Sequence, residues 1–237
     1  MNVVIASRMS SSRLPGKALK IMHKNLSMLD ILLKRISSAK STNKIILATS
    51  SDVSDDPLEE WAKKNDIYIF RGSLDDVLGR LENCLIEFGL DDFVEILGDN
   101  PFVDPHDIDD CIKTFKSGKY DYVATSTTEY EFSNKKFSYP IGVRVQCLKS
   151  ELIYDASKEN TDEYSREHSS SFIYKKNDRY KVKLIHYLGK RYKGLEKVNL
   201  AVNTQEDFER NKIILDALGC EASLQEILNF SYENRLV

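Results

Sequence analysis

The sequence is short of several things, and each shortage excludes a class of protein. No apolar run approaches the length that crosses a bilayer, and no apolar stretch follows the N-terminus as it does in a secretory signal. The four cysteines, Cys84, Cys111, Cys147 and Cys220, are widely separated and form no C-x-x-C pair, so buried thiols in a reducing compartment are expected. The histidines His23, His106, His168 and His186 lack metal-ligand spacing. A net charge of −3 gives no footprint for general nucleic-acid or membrane-surface binding. There is no G-x-x-x-x-G-K-[ST] phosphate loop and no G-x-S-x-G nucleophile elbow. Repeats, low-complexity tracts and linkers are absent too. The expectation is a cytoplasmic protein with one domain over residues 1–237, which at 41% hydrophobic residues has ample material for a large core.

What is present alternates. Apolar runs at Val3–Ala6, Ile45–Ala48, Ile67–Phe70, Phe93–Leu97 and Tyr122–Thr125 read as buried strands. Between them, Leu29, Leu32, Leu33, Ile36 and Ala39 share one helical face. Asp56-Pro57 and Asp104-Pro105 read as N-caps followed by proline, opening helices through Lys64 and Phe115, and residues 75–88 form a third amphipathic stretch closed by Gly89. Such alternation implies an α/β fold with a mostly parallel sheet covered on both faces. Residues 126–142 break the rhythm and are expected to pass over the active face. Beyond them the pattern predicts strands at Val143–Leu148, Val182–Tyr187 and Asn199–Asn203. Helices are predicted near 149–158, 163–176 and 204–218, with a short one in the tail 221–237.

Chemistry concentrates in a few places. Arg8, Arg13, Lys17, Lys20 and Lys24 all precede the first acid, Asp30, in a slightly acidic chain. The segment Arg8–Lys17 follows the first strand, carries Ser10, Ser11 and the turn Pro15-Gly16, and suits a polyanion such as a nucleoside triphosphate. Asp99, in Gly98-Asp99-Asn100-Pro101, follows another strand. It would offer a hard oxygen to Mg²⁺, although the same residues also make an ordinary turn. In Arg71–Arg80, capping by Ser73 or Asp75 explains the small polar residues but neither arginine. Thr204 with Asp207 reads as a capping box, leaving Asn203 as the candidate there. Arg166 and His168, in Ser165-Arg-Glu-His168, could hold an anionic acceptor.

In this order, Arg8-x4-Arg13-Leu-Pro-Gly-Lys17, Arg71-Gly-Ser-x-Asp-Asp-Val-Leu-Gly-Arg80, Gly98-Asp-x-Pro-x-x-Asp-Pro105, Ser165-Arg-Glu-His168 and Asn203-Thr-x-Glu-Asp-Phe208 resemble the acylneuraminate/Kdo-type cytidylyltransferase family. The similarity is to its branch of spore coat polysaccharide biosynthesis protein F. It implies a three-layer α/β/α, Rossmann-like nucleotidyltransferase domain, usually homodimeric, that joins CTP to an anionic sugar or related acceptor and releases pyrophosphate. By the same resemblance Arg8, Arg13, Lys17 and Asp99 are catalytic, and Ser10, Ser11, Gly16, Arg71, Gly72 and Ser73 bind the nucleotide. Arg80, Asn100, Arg144, Arg166 and His168 face the acceptor, and Asp99 and Asn203 hold Mg²⁺. Two departures stand out. Asn203 replaces the family's usual aspartate, a weaker ligand for a hard dication. Arg144 and Gln146 stand where relatives often carry acids, which implies either a more anionic acceptor or a local salt-bridge rearrangement. Other readings are a guanylyl- or uridylyltransferase acting on a sugar 1-phosphate, a glycosyltransferase using a nucleotide-sugar, and a nucleotide-binding homologue with impaired catalysis.

Overall fold

The computed structural model describes residues 1–128, 135–175, 178–190 and 192–236. The chain runs through strand β1 (Val3–Ala6), a hairpin of β2 (Ile21–His23) and β3 (Leu26–Ser27), helix α1 (Met28–Ser38), β4 (Ile45–Ser50), α2 (Asp56–Lys64), β5 (Tyr68–Gly72) and α3 (Val77–Glu87). It continues with β6 (Asp92–Leu97), α4 (Pro105–Phe115), β7 (Tyr122–Thr125), β8 (Gln146–Lys149) and α5 (Ser150–Glu159). Then come α6 (Glu163–Glu167), α7 (Ser171–Lys175), β9 (Val182–Ile185), α8 (Gln205–Leu218) and α9 (Leu224–Glu233).

Seven strands form one sheet in the order β5-β4-β1-β6-β8-β7-β9. All neighbouring pairs are parallel except those of β8, which runs antiparallel to both β6 and β7. Side chains along β1 alternate between two apolar layers, as the pleat requires. Val3 and Ile5 join Leu29, Leu32, Trp61 and Ile112 from α1, α2 and α4. Val4 joins Leu78, Leu81, Leu85 and Leu152 from α3 and α5 on the opposite face. A third cluster, built from Met22, Phe102, Tyr139, Leu200, Phe208 and Leu228, seats the hairpin, α8 and α9. Because β1 lies between β4 and β6, the chain leaves it in opposite directions, and that opens a crevice at the strands' carboxyl ends.

The local signals hold well at helix starts. Ser27 and Asp30 form a reciprocal capping box on α1, and Thr204 and Asp207 form one on α8. Asp104 caps α4 with Pro105 next, as expected. Four expectations need correction. No strand forms at Asn199–Asn203; Asn199 makes one isolated bridge to Ile141, and Asp207 instead takes the backbone N–H groups of Asn203 and Thr204. The helix expected over 163–176 is broken, because His168 leaves helical geometry before the run Ser169-Ser170-Ser171; residue 176 lies outside the described residues. α3 is capped by Asp76, whose carboxylate accepts from Gly79 N at 2.9 Å, rather than by Ser73 or Asp75. On α2 the cap position is Asp55, not Asp56, and its carboxylate points elsewhere. The later strands are also shorter than expected: β8 begins at Gln146 and β9 ends at Ile185. Of the 126–142 excursion, residues 129–134 lie outside the described residues.

Arg35 ties the C-terminal helix to this frame. It is buried on α1 and donates to Val103 O at 2.7 Å, Cys220 O at 2.8 Å and Ala222 O at 2.9 Å. Arg35→Met would strand three carbonyls in a site closed to water. The expected cost is about 3 kcal/mol, read as a lower urea midpoint, with α9 amides exchanging first. Unchanged stability would show that α9 docks through apolar contacts alone.

Candidate active site

At the carboxyl end of β1 the chain turns through Ser7–Lys17. Met9 N donates to Asp55 Oδ1 at 2.7 Å, and Met9 O accepts from Ser11 N and Gly16 N, both at 2.9 Å, so the loop folds back on one residue. Gly16 closes the turn at φ +73°, a conformation other residues adopt only with strain, and opens a single turn of 3-10 helix at Lys17–Leu19. Asp55 is fully buried and also accepts from Thr49 Oγ1 at 2.8 Å and Ser50 N at 2.9 Å. Burial works against its charge, but the hydrogen bonds from Ser50, Met9 and Thr49 outweigh it and hold the carboxyl below its ordinary range. Asp55 thus fastens the loop after β1 to the end of β4.

The adjacent β6 turn approaches closely. A Cβ on Gly98 would lie 2.6 Å from Ser7 Cβ, so only glycine lets the two strand ends meet here. Asp99 then faces the loop. Lys17 Nζ lies 3.1 Å from Asp99 Oδ2 and donates to Val202 O at 2.7 Å. Arg13 donates to Asn203 Oδ1 at 3.3 Å. Val202 N donates to Asp99 O at 3.0 Å, which fixes the 199–203 segment against the β6 turn without any strand. Arg8 reaches Leu74 O at 3.1 Å and Glu167 Oε1 at 3.3 Å.

These groups surround a cleft of about 310 Å³. Of the sequence-derived candidates, Arg8, Ser10, Ser11, Arg13, Lys17, Arg80, Asp99, Arg144, His168 and Asn203 line it. Gly16 shapes the loop without lining the cleft. Arg71 does not line it either: its guanidinium is held by Asp56, Glu59, Ser50 O and Asp52 O, and Gly72 and Ser73 beside it are likewise outside the lining. Asn100 is buried within the turn. Arg166 grips both oxygens of Asp76, at 2.8 and 2.5 Å, and so braces α6 against α3 rather than entering the cleft. Arg80 is buried, donates to Ser73 O at 2.8 Å, and is pushed below its usual pKa by burial and then by Arg8. A second cavity of about 560 Å³ lies near Leu90, Tyr120 and Tyr154 at the opposite rim. It is larger, but it gathers no comparable set of cations.

Two lining acids had not been singled out. Glu95 sits inside the apolar run of β6 with 1% exposure; Oε2 accepts from Gln146 Nε2 at 3.0 Å and Oε1 from Ser169 Oγ at 2.8 Å. Burial raises its pKa, and the nearby charge of Arg144 and the Ser169 hydrogen bond act the other way. The signal was a lone acid within Phe93-Val-Glu-Ile-Leu97. Glu167, the other, pairs with Arg8 at the rim. Arg144 lines the same cleft, and its charge favours the ionised form of Glu95. Among the described residues no group of three or more His, Cys, Asp or Glu side chains could hold a metal ion. Asp99 and Asn203, with Val202 O, supply oxygen donors, and a cation there would complete its shell with phosphates and water, as Mg²⁺ commonly does.

A mostly parallel, doubly covered sheet with a cationic loop and a carboxylate on one rim defines an α/β protein whose ligand crevice lies at the carboxyl ends of its strands. The chain belongs to the cytidylyltransferase family, whose model matches residues 2–235. It is similar to spore coat polysaccharide biosynthesis protein SpsF of Bacillus subtilis, 29% identical over 91% of this chain and 86% of the relative. The fold matches a solved cytidylyltransferase of Leptospira borgpetersenii with a TM-score of 0.85 and 23% identity, over 99% of this chain and 94% of the other. It also matches a CMP:2-keto-3-deoxy-manno-octonic acid synthetase complexed with CTP, with a TM-score of 0.66 and 13% identity over 91% and 98% of the two chains. Membership makes the chain a nucleotidyltransferase. No helix among the described residues is long and apolar enough to cross a membrane.

Asp55→Asn should lower thermal stability at pH 7. A carboxyl whose folded pKa is depressed contributes stability above its unfolded pKa, about 3.9, and loses it as pH falls through the lower folded value. The difference between wild type and D55N should therefore be constant near neutrality and shrink below about pH 4. A gap that widened in acid would contradict this.

Proposed function

We propose that the cleft binds CTP with its triphosphate on Arg8, Arg13 and Lys17 and transfers the cytidylyl group to an anionic sugar or related acceptor for surface polysaccharide or glycan biosynthesis. The observation that carries the proposal is the convergence of Lys17, Asp99, Arg13 and Asn203 where β1 and β6 end together. Family membership supports CTP as donor, and the SpsF relative supports a polysaccharide pathway. The family resemblance further supports a homodimer, and the same reading takes the protein as cytoplasmic with residues 1–237 as one domain.

In this reading the acceptor attacks the α-phosphorus in line, and pyrophosphate leaves. Lys17 and Arg13 exchange their present oxygen partners for phosphate oxygens and stabilise the charge that grows on the α-phosphate and the leaving group. Ser10 and Ser11 offer hydroxyls along the same loop, and Gly16 keeps the backbone compact behind them. Asp99 and Asn203 would hold Mg²⁺, which supplies Lewis-acid neutralisation of the triphosphate. With one carboxylate and one amide, that pair carries a single negative charge, so the site relies on the nucleotide's own phosphates for metal affinity. Arg71 supports the site through the β4–α2 connection, and Arg166 through α3.

Pyrophosphate release with each of the four nucleoside triphosphates, across a panel of sugar acids and sugar phosphates, tests the assignment. CTP should be preferred and Mg²⁺ required. Lys17→Ala and Asp99→Ala should each lower turnover about 100-fold or more while melting near the wild-type temperature. Near-normal turnover in either would defeat the reading. Asn203→Asp should lower the Mg²⁺ concentration for half-maximal activity by roughly tenfold, since it adds a second charged oxygen ligand; an unchanged requirement would remove Asn203 from the metal site.

A further inference from the structure

The start of α2 breaks two local rules. Asp55 occupies the N-cap position, yet its carboxylate makes no bond to the helix it should cap. A cation, Arg71, sits at the same helix end, where the dipole favours anions, and Asp56 and Glu59 of the first turn neutralise it. Departures of this kind from local preference mark places where the chain answers a demand from elsewhere.

The demand comes from the loop after β1. Arg71 stands opposite Thr49 in the β4–β5 register and spans the turn that leaves β4: Nε donates to Ser50 O at 2.9 Å and Nη2 to Asp52 O at 2.8 Å. The planar guanidinium holds the outer side of the 50–55 turn as a rigid fork. Asp55, which is buried, holds its inner side, with Oδ2 accepting from Thr49 Oγ1, Ser50 N and Ser50 Oγ. Its other oxygen, Oδ1, reaches out of the turn to Met9 N at 2.7 Å. Met9 O in turn takes Ser11 N and Gly16 N. One residue thus fixes where Arg8 leaves the strand and where the chain returns toward Lys17, and its own place is set from the 50–55 turn. Neither Arg71 nor Asp55 lines the cleft.

Resting on the cytidylyl-transfer reading above, we propose that Arg71 and Asp55 act as one positioning unit for the triphosphate loop, Arg71 working through Asp55 and touching no part of the nucleotide. Arg71 sets the turn, the turn sets the direction of Asp55, and Asp55 sets Met9 and hence the cations on either side of it. The unit governs the phosphate end of the nucleotide, because the bond it controls lies in the loop that carries Arg8, Arg13 and Lys17.

Binding of CTP, CMP and inorganic pyrophosphate, measured by calorimetry with Mg²⁺, tests this in Arg71→Gln, Asp55→Asn and the double variant. R71Q and D55N should each weaken CTP and pyrophosphate about tenfold and leave CMP within about twofold. The double variant should be no worse than D55N, since Arg71 has nothing left to act through. Arg71→Lys keeps the charge beside Asp56 and Glu59 but not the fork that reaches both carbonyls. It should melt near the wild-type temperature and still weaken CTP, which gives a second reading where R71Q does not fold. Equal loss of CTP and CMP in R71Q would put Arg71 on the base or ribose and overturn the proposal. Additive losses in the double variant would overturn it too. So would unchanged CTP affinity in folded R71K, which marks a purely structural role. Wild type that binds neither CTP nor pyrophosphate would instead defeat the transfer reading itself.

Discussion

Five cations line one cleft: Arg8, Arg13, Lys17, Arg80 and Arg144, against the three acids Glu95, Asp99 and Glu167. Holding like charges this close without a ligand is the constraint that the surrounding structure answers. Four of them take oxygen partners from different parts of the chain. Lys17 takes Asp99 and Val202 O, Arg13 takes Asn203, Arg8 takes Glu167 and Leu74 O, and Arg80 takes Ser73 O. These partners come from the β6 turn, the 199–203 segment, α6 and the loop before α3. The charge cluster therefore draws together segments distant in sequence, and the packing of α8 and α6 becomes part of the site's electrostatics. The exposed Arg8–Glu167 pair contributes little to stability, but the half-buried Lys17–Asp99 pair holds its charges in a less polar setting.

The same arrangement explains how a polyanion can bind without reorganising the fold. A triphosphate offers more charge to Lys17 and Arg13 than one carboxylate and one amide do, and it can replace them with short side-chain movements. The backbone beneath is already set by Asp55, Gly16 and Gly98, whose contacts involve none of the exchanging groups. Pre-organised backbone with exchangeable side-chain partners is what electrostatic catalysis requires, since donors aimed before the reaction need no reorientation during it. In the proposed reading, Asp99 freed from Lys17 would then be available to a metal.

Much of the frame was legible because it depends on local patterns. The buried runs of β1 and β7 and the Asp-Pro start of α4 are determined by neighbours a few residues away. The 199–203 segment was misread because an apolar stretch beside a helix cap looks like a strand, while only tertiary structure shows that Asp207 takes its N–H groups. The antiparallel direction of β8 leaves no mark in a buried four-residue run. In the site, Arg8, Arg13, Lys17 and Asp99 stood out as chemistry at strand ends, and their convergence follows from sheet order. Arg71 and Arg166 looked equivalent to them in sequence. What separates them is their partners: Asp56 and Glu59 for one and Asp76 for the other, each supplied by a nearby helix start. Asp55 was hidden for another reason, since Asp56 beside the proline drew the reading as cap.

Glu95 and Asn203 together show how charge has been redistributed within one cleft. At the strand ends Asn203 brings an amide beside the Asp99 carboxylate, while Glu95 brings a buried carboxylate to the same cleft. A buried acid contributes nothing to triphosphate binding and costs desolvation unless something compensates it. Hydrogen bonds from Gln146 and Ser169 and the field of Arg144 do so, and all three come from segments that also shape the inner wall. Removing this carboxylate alone would leave the Gln146 and Ser169 donors unpaired and the Arg144 charge uncompensated, which is strongly destabilising in a buried setting. Position separates the two groups: Lys17, Asp99, Arg13 and Asn203 gather where the strands end, and Glu95, within β6, keeps its own partners.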